Sequence, residues 1–391
     1  MPKHRPIAKK KNSTVGREPS FEGQARDLTS DGRGVVRHPD GRTCFVSGLW
    51  PGEVAEIQPV GRQGKVVLGQ VVALRKPHAQ RRDAPCRHHG QARDQCGGCP
   101  WMFMDYEAQC EAKWHRFEKA ISGLRDGATQ VDSLRSAPEE LGYRNRAQFK
   151  TDGRQLGYVA GGSRRLIDIE ACPILNTVTG RHLDDLRVQL PNKAWQARKG
   201  DWHTVDVDDE TLLPSIDKRL PFRQGNTQQN GAMRSWLAEV ISEMPVDTAV
   251  TELFSGSGNL TEVLVQQFTT VRTVESLESA VALSAERLGE RVRAHWLNLY
   301  SPVAVADWVH EVADTQLLVL DPPREGLKVR DPLLHGLPRL NTIIYLSCDA
   351  ATWMRDAAAV VARGFRLARI TPLDLFPQTP HLEVLSVFTR G

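Results

Sequence analysis

The stretch from Thr248 to Phe388 most narrows what this chain can fold into. Five short apolar runs recur there, and each ends on a polar or reactive residue. The first, Thr248 to Phe254, runs into Ser255-Gly256-Ser257-Gly258-Asn259-Leu260 and then a helical pattern. Strand, glycine-rich turn and helix form the opening unit of a nucleotide-binding α/β fold. The second run, Thr270 to Val274, ends in Glu275, and the third, Ala294 to Leu297, ends in Asn298. The fourth, Gln316 to Leu320, ends in Asp321-Pro322-Pro323-Arg324. Two prolines turn the chain out of the sheet and hold Asp321 at the strand tip. The fifth, Thr342 to Ser347, ends in Cys348, and a helix-like stretch follows. Ligands of open parallel sheets bind at this edge. Phe376 to Glu383 then leads into a last strand, Val384 to Phe388, with Glu383 at its start.

The turn lacks the third glycine of the dinucleotide pattern, since Leu260 and Thr261 follow Gly258. That argues against a nicotinamide cofactor. An acid at the tip of the second strand, Glu275, is placed for ribose hydroxyls. Together these features suit S-adenosylmethionine, whose adenosine needs ribose and ring contacts but no pyrophosphate cradle. Taken alone, Cys348 reads first as a buried packing thiol, and Glu383 as a surface acid.

The preceding residues divide into modules. Residues 1–17 are basic and without periodicity, and are expected to be a flexible tail, compatible with contact to a phosphate backbone. Residues 18–77 hold four or five short strands separated by turns such as Asp31-Gly32-Arg33-Gly34 and Pro39-Asp40-Gly41-Arg42. That pattern predicts a small OB-like β-barrel, a frequent nucleic-acid platform. Residues 78–215 are expected to form a central domain with further strands, and 216–391 the cofactor-binding α/β domain. Arg144 and Arg146 lie on one face of an alternating stretch, either against RNA phosphates or facing solvent. A second basic run, Arg75 to Arg93, also suits a phosphate backbone.

Net charge is +4 and seven cysteines are present. An odd number in a chain of this length, without a secretory signal, argues against a disulfide framework. Cys86, Cys96-Gly97-Gly98-Cys99 and Cys172-Pro173 read instead as a metal centre, zinc or iron–sulfur, ahead of a redox pair. Cys44 reads as core, and Cys110 as helix packing. No apolar run is long enough to cross a bilayer, so the expected setting is cytoplasmic and the expected state monomeric.

Read together, these motifs resemble the RNA 5-methyluridine (uracil-C5) methyltransferase family. The resemblance covers nearly the whole chain: barrel, cysteine set, Gln224, the Leu253-Phe254 to Asn259 turn, Asp321-Pro322-Pro323-Arg324, Ser347-Cys348 and His381-Leu382-Glu383. It implies a Rossmann-like methyltransferase domain, a TRAM-type barrel and a small iron–sulfur domain. It implies Cys348 as nucleophile and Glu383 as general base. Gln224, Phe254, Asn259, Glu275, Asn298 and Asp321 would contact S-adenosylmethionine or lie where it meets uracil. Cys86, Cys96, Cys99 and Cys172 would hold a [4Fe–4S] cluster. The implied reaction is C5 methylation of a uridine in RNA, with 23S rRNA ahead of tRNA. An amino-group N-methyltransferase shares Asp-Pro-Pro but needs neither Cys348 nor Glu383. The family commonly has Asn-Pro after Ser-Cys, where this chain has Asp349-Ala350, an acid that would raise the thiol pKa if it faced it.

Overall fold

A computed structural model describes residues 18–390, apart from 91–93, 162, 199–200, 212 and 219–221. The expected basic tail and Arg93 therefore lie outside the described residues. The chain divides into two compact units, Met1–Asp105 and Tyr106–Gly391.

The first unit is built on a closed barrel of β1 (Phe21–Leu28), β2 (Gly34–Arg37), β3 (Thr43–Ser47), β4 (Val54–Gln63) and β5 (Val66–Lys76), in the order β1-β2-β3-β5-β4. Alternate residues point inward, as a two-residue period requires. Val36, Cys44, Val46, Ala55, Ile57 and Val67 fill the interior, so Cys44 is core as expected. The segment after the barrel packs back on it. Trp101 meets Trp50 edge-on at 5.0 Å between ring centroids, and its Nε1 donates to Gly32 O at 3.0 Å.

The second unit begins with α1 (Tyr106–Ile121) and the short β6 (Gln130–Val131). A five-stranded antiparallel sheet follows, made of β7 (Arg146–Thr151), β8 (Leu156–Val159), β9 (Leu166–Asp168), β10 (His203–Asp208) and β11 (Ser215–Ile216), with α2 (Thr177–Val188) packed against it. Here Arg146 turns inward. Its guanidinium grips Asp206 in a buried fork, with Nε and Nη2 at 3.0 and 2.6 Å from the carboxylate. Neither expected orientation, toward phosphates or toward solvent, holds at Arg146, because its own sheet supplies the counter-charge.

The largest sheet comprises β12 (Val250–Leu253), β13 (Val271–Glu275), β14 (Val292–Trp296), β15 (Leu317–Leu320), β16 (Thr342–Ser347), β17 (Phe365–Leu373) and β18 (Glu383–Arg390), with β6 at one edge. Its order is β14-β13-β12-β15-β16-β18-β17-β6. The strands β12 to β16 are mutually parallel, and β18 runs antiparallel between β16 and β17. Helices α3 (Thr227–Ile241), α4 (Thr261–Gln267), α5 (Glu278–Leu288), α6 (Pro302–Trp308), α7 (Arg330–Gly336) and α8 (Ala350–Val361) connect and cover it.

Both faces of this sheet are buried, which is why its strands read as continuous apolar runs. Along β15, Leu317 and Val319 join a core with Met233, Trp236 and Leu264. Leu318 and Leu320 join the opposite core, with Trp308, Leu333, Trp353 and Phe117. No helix among the described residues is long and apolar enough to cross a membrane.

Candidate active site

Strand order reverses between β12 and β15, and the parallel strand ends at that switch point form the crevice of such sheets. Phe254, Glu275, Asn298, Asp321 and Cys348 each stand at or just beyond the end of a parallel strand. The reversed β18 brings its first residue to the same edge. Val384 pairs with Ser347, and Glu383 pairs with Leu373 on the other side. Cys348 and Glu383 are therefore next to the same rung of adjacent strands, and neighbouring strands lie about 4.8 Å apart.

Three acidic groups share this end. Burial pushes the Cys348 thiol up to about 12, and the charges of Glu383 and Asp321 add to that. Arg324 acts in the opposite direction. Burial likewise pushes the Asp321 carboxyl up to about 7. Glu383 is only 3 % exposed. Its carboxyl is raised by burial, then by the charge of Asp321. Arg324 Nη2 lies 3.4 Å from His381 Nε2 at the exposed rim. His381 is pushed down to about 4, first by burial and then by the Arg324 charge, so its imidazole is neutral at physiological pH.

Asp349 has a different task from the one its sequence position suggests. It is the N-cap of α8, and its Oδ1 accepts from Thr352 N at 2.9 Å. The carboxylate is thus directed at the helix terminus, where an N-cap contributes about 1 kcal/mol. Capping, rather than opposing the thiolate, is its visible role.

The other half of the edge is arranged around Glu275. One carboxylate oxygen accepts from Gly256 N at 3.1 Å, and the other from Ser276 N and Leu277 N at 2.6 and 2.9 Å. The glycine-rich turn is thereby tied to the second strand. Gly258 has φ +94°, and a Cβ there would fall 2.9 Å from Leu288 Cδ1. Phe254 also adopts a left-handed conformation, with φ 62°, and its ring lies 6.4 Å from that of Tyr300.

Asn259 exchanges two amide hydrogen bonds with Asn230, at 2.9 and 3.0 Å. Its carbonyl receives Arg234 Nη1 at 2.7 Å. That side chain fastens the turn to α3. Asn298 is exposed, and its Oδ1 accepts from Tyr300 N at 3.0 Å. Gln224 sits just before α3, where its carbonyl receives Asn145 Nδ2 at 2.9 Å. Beneath the turn, burial pushes Glu252 up to about 8, and its Oε2 accepts from Thr261 Oγ1 at 2.6 Å. Sequence reading gave Glu252, Arg324 and His381 no role. An acid inside a wholly buried strand was the available signal for Glu252, and Arg324 and His381 belong to the quoted motifs.

Of the expected cluster ligands, Cys86, Cys96 and Cys99 lie in the first unit and Cys172 in the second. Among the described residues, no group of three or more His, Cys, Asp or Glu side chains could hold a metal ion. Cys86, Cys96, Cys99 and Cys172 are half-buried. The Cys96 thiol is raised first by burial, with the Cys86 charge contributing.

No family model matches the chain. It is 37% identical over 381 residues to the "uncharacterized RNA methyltransferase" of Nitrosomonas europaea, covering 95% of this chain and 97% of that protein. The 23S rRNA (uracil(1939)-C(5))-methyltransferase RlmD of Chromohalobacter salexigens is 30% identical over 433 residues, covering 93% and 88% respectively. The chain belongs to the RNA uracil-C5 methyltransferase family. The RlmD of Pseudomonas putida is 29% identical, with 93% of this chain and 92% of that protein covered. Among solved structures, the tRNA (uracil-54, C5)-methyltransferase of Pyrococcus abyssi, bound to S-adenosyl-L-homocysteine, superposes with TM-score 0.68. Its identity is 19%, covering 94% of this chain and all of the other, which establishes the shared fold.

Proposed function

We propose that the protein methylates C5 of a uridine in 23S rRNA through a covalent adduct on Cys348, with S-adenosylmethionine as methyl donor. The observation that carries this reading is the strand arrangement that sets Cys348 and Glu383 just beside the Ser347–Val384 rung of β16 and β18. Relatives at 29 and 30% identity that cover most of the chain are 23S rRNA enzymes, which supports rRNA as substrate.

The chemistry follows from uracil itself. C5 is too weak a nucleophile to attack a methyl sulfonium. As thiolate, Cys348 adds to C6 and converts the ring to an enolate, which makes C5 nucleophilic. When bound, S-adenosylmethionine supplies an activated methyl group. The turn at Phe254–Gly258 and the Glu275 carboxylate bind and orient the adenosine half, while Gln224, Asn298 and Asp321 border it. Asn259 acts by holding the turn. Glu383, ionised, then removes the C5 proton so that Cys348 is released. A raised pKa makes its carboxylate the stronger proton acceptor. The target base must leave its stack to reach this edge.

We assign residues 18–77 as the TRAM-type RNA platform, 78–215 as a central positioning region and 216–391 as the methyl-transfer domain. Cys86, Cys96, Cys99 and Cys172 are proposed as [4Fe–4S] ligands on their spacing and the family resemblance. No step of the reaction passes through them. Iron and sulfide content and visible absorption of anaerobically purified protein, with and without Cys99→Ser, test that assignment.

The central test uses 5-fluorouridine-substituted 23S rRNA and tRNA transcripts with S-adenosylmethionine. The C5 fluorine cannot be abstracted as a proton, so a methylated protein–RNA adduct accumulates on the rRNA. An adduct that survives Cys348→Ala would sink the mechanism. Adduct on tRNA alone would move the substrate to tRNA.

A further inference from the structure

We propose that helix α1 is a positioning device for the general base, with Lys113 and Gln109 fastening the segment that ends in Glu383. The inference rests on the covalent mechanism proposed above. Residues Asp374 to Leu382 connect β17 to β18, and Glu383 is the first residue of β18. Whatever fixes this segment fixes the direction from which the base enters the site.

One face of α1 is devoted to it. Lys113 Nζ donates to Asp374 Oδ1 at 2.6 Å and to Phe376 O at 3.2 Å. Tyr106 OH donates to Asp374 Oδ2 at 2.9 Å. Gln109 Nε2 donates to Gln378 Oε1, and Gln378 N donates to Gln109 Oε1, both at 2.9 Å. Arg116 Nη1 donates to Pro380 O at 3.2 Å. Tyr106, Gln109, Lys113 and Arg116 follow three- and four-residue steps, so they form one stripe along the helix.

Two features separate this from ordinary helix packing. The stripe is polar yet buried: Lys113 is 1 % exposed, and Gln109, Asp374 and Gln378 are 0 % exposed. A buried ion pair is an expensive way to hold a helix, since apolar residues do so as well or better. It does fix one geometry. In addition, Gln378 is held at φ 68°, a conformation unfavourable for a residue with a Cβ,. Its Nε2 is anchored to Glu140 Oε2 at 2.9 Å, and Tyr143 OH donates to the neighbouring Pro377 O at 3.1 Å. The segment is gripped at residues 374, 376, 377, 378 and 380, up to three residues before the base.

The base acts only in the final step. Glu383 takes the C5 proton, the C5–H electron pair re-forms the C5–C6 double bond, and Cys348 Sγ leaves C6 as thiolate. A displaced base therefore stalls the reaction after methyl transfer, whereas general damage to the fold slows every step.

The experiment compares Gln109→Ala, Gln378→Gly and Lys113→Met/Asp374→Asn with the wild type and with Glu383→Gln. The glycine relieves the left-handed strain, and the paired neutral change leaves no lone buried charge, so folding is protected in both. Adduct formation on 5-fluorouridine RNA should be unchanged. Turnover on ordinary RNA should fall about 100-fold, as for an ångström-scale misplacement, and a methylated protein–RNA adduct should accumulate on it. Turnover and adduct formation falling together, or neither changing, would overturn the positioning role. Failure of the wild type to form the fluorinated adduct, or of Glu383→Gln to accumulate the ordinary one, would instead overturn the mechanism on which it rests.

Discussion

The two halves of the sheet edge use the same residue type in opposite ways. At the β12–β13 end, the Glu275 carboxylate is surrounded by three backbone N–H donors. Such donors fix the orientation of its two oxygens. At the β15–β16–β18 end, burial pushes the carboxyls of Asp321 and Glu383 upward, and the charge of Asp321 raises Glu383 further. A carboxylate solvated by the backbone is suited to holding a hydroxyl. A carboxyl left unsolvated is suited to gaining and losing a proton.

The largest effect that would break this contrast is at Glu383. Glu383→Gln should lower turnover by about 10²–10⁴-fold, the usual worth of a general base. Binding of S-adenosylmethionine, followed by calorimetry, should be unchanged. Glu275→Ala should do the reverse. Cofactor affinity should drop about 10- to 100-fold, the loss of a charged hydrogen bond, with little change in turnover at saturating cofactor. If both variants lost cofactor affinity equally, the division between the halves would be wrong.

A third test uses stability. Folding raises the Glu252 pKa from 4.5 to about 8. Between those values the folded state holds a proton that the unfolded state has released. Its contribution is therefore complete below about 4.5 and is lost as pH rises toward 8,. The ligand-free protein should melt at higher temperature as pH falls through that window, and Glu252→Gln should flatten the slope, which is at most about 1.4 kcal/mol per pH unit. An unchanged slope would mean that Glu252 is already solvated.

The smallest effect is at Asp349. Asp349→Asn keeps a capping side chain and should alter neither stability nor the pH dependence of adduct formation, whereas Asp349→Ala should cost about 1 kcal/mol in denaturant unfolding. A shift in the pH profile with Asp349→Asn would show that the carboxylate does act on the thiol.

The strand tips were readable because each apolar run stops abruptly at a polar residue. The observed strand ends fall within one residue of the expected ones at Leu253, Glu275, Trp296, Leu320 and Ser347. Side-chain direction was not readable. Asn259 stands in the turn as expected, but its amide is turned toward Asn230. Arg146 lies in an alternating strand, but its partner Asp206 is sixty residues away. Asp349 follows Cys348, yet helix capping claims its carboxylate. The α1 stripe was hidden for the same reason. Lys113 and Asp374 are separated by 261 residues, and no local pattern marks a lysine that will be fully buried.

The reversed direction of β18 has a dynamic consequence. Glu383 lies within a ladder, paired to Leu373, whereas Cys348 lies one residue past the last paired position of β16. Hydrogen-bonded strand positions open only with large parts of the fold, and turn positions open locally. In the proposed mechanism, Glu383 is thus the fixed point of the site and Cys348 its compliant partner. Amide exchange at Cys348 should outpace that at Val384, and the sulfur can follow a uracil ring as C6 changes from planar to tetrahedral while the carboxylate stays still.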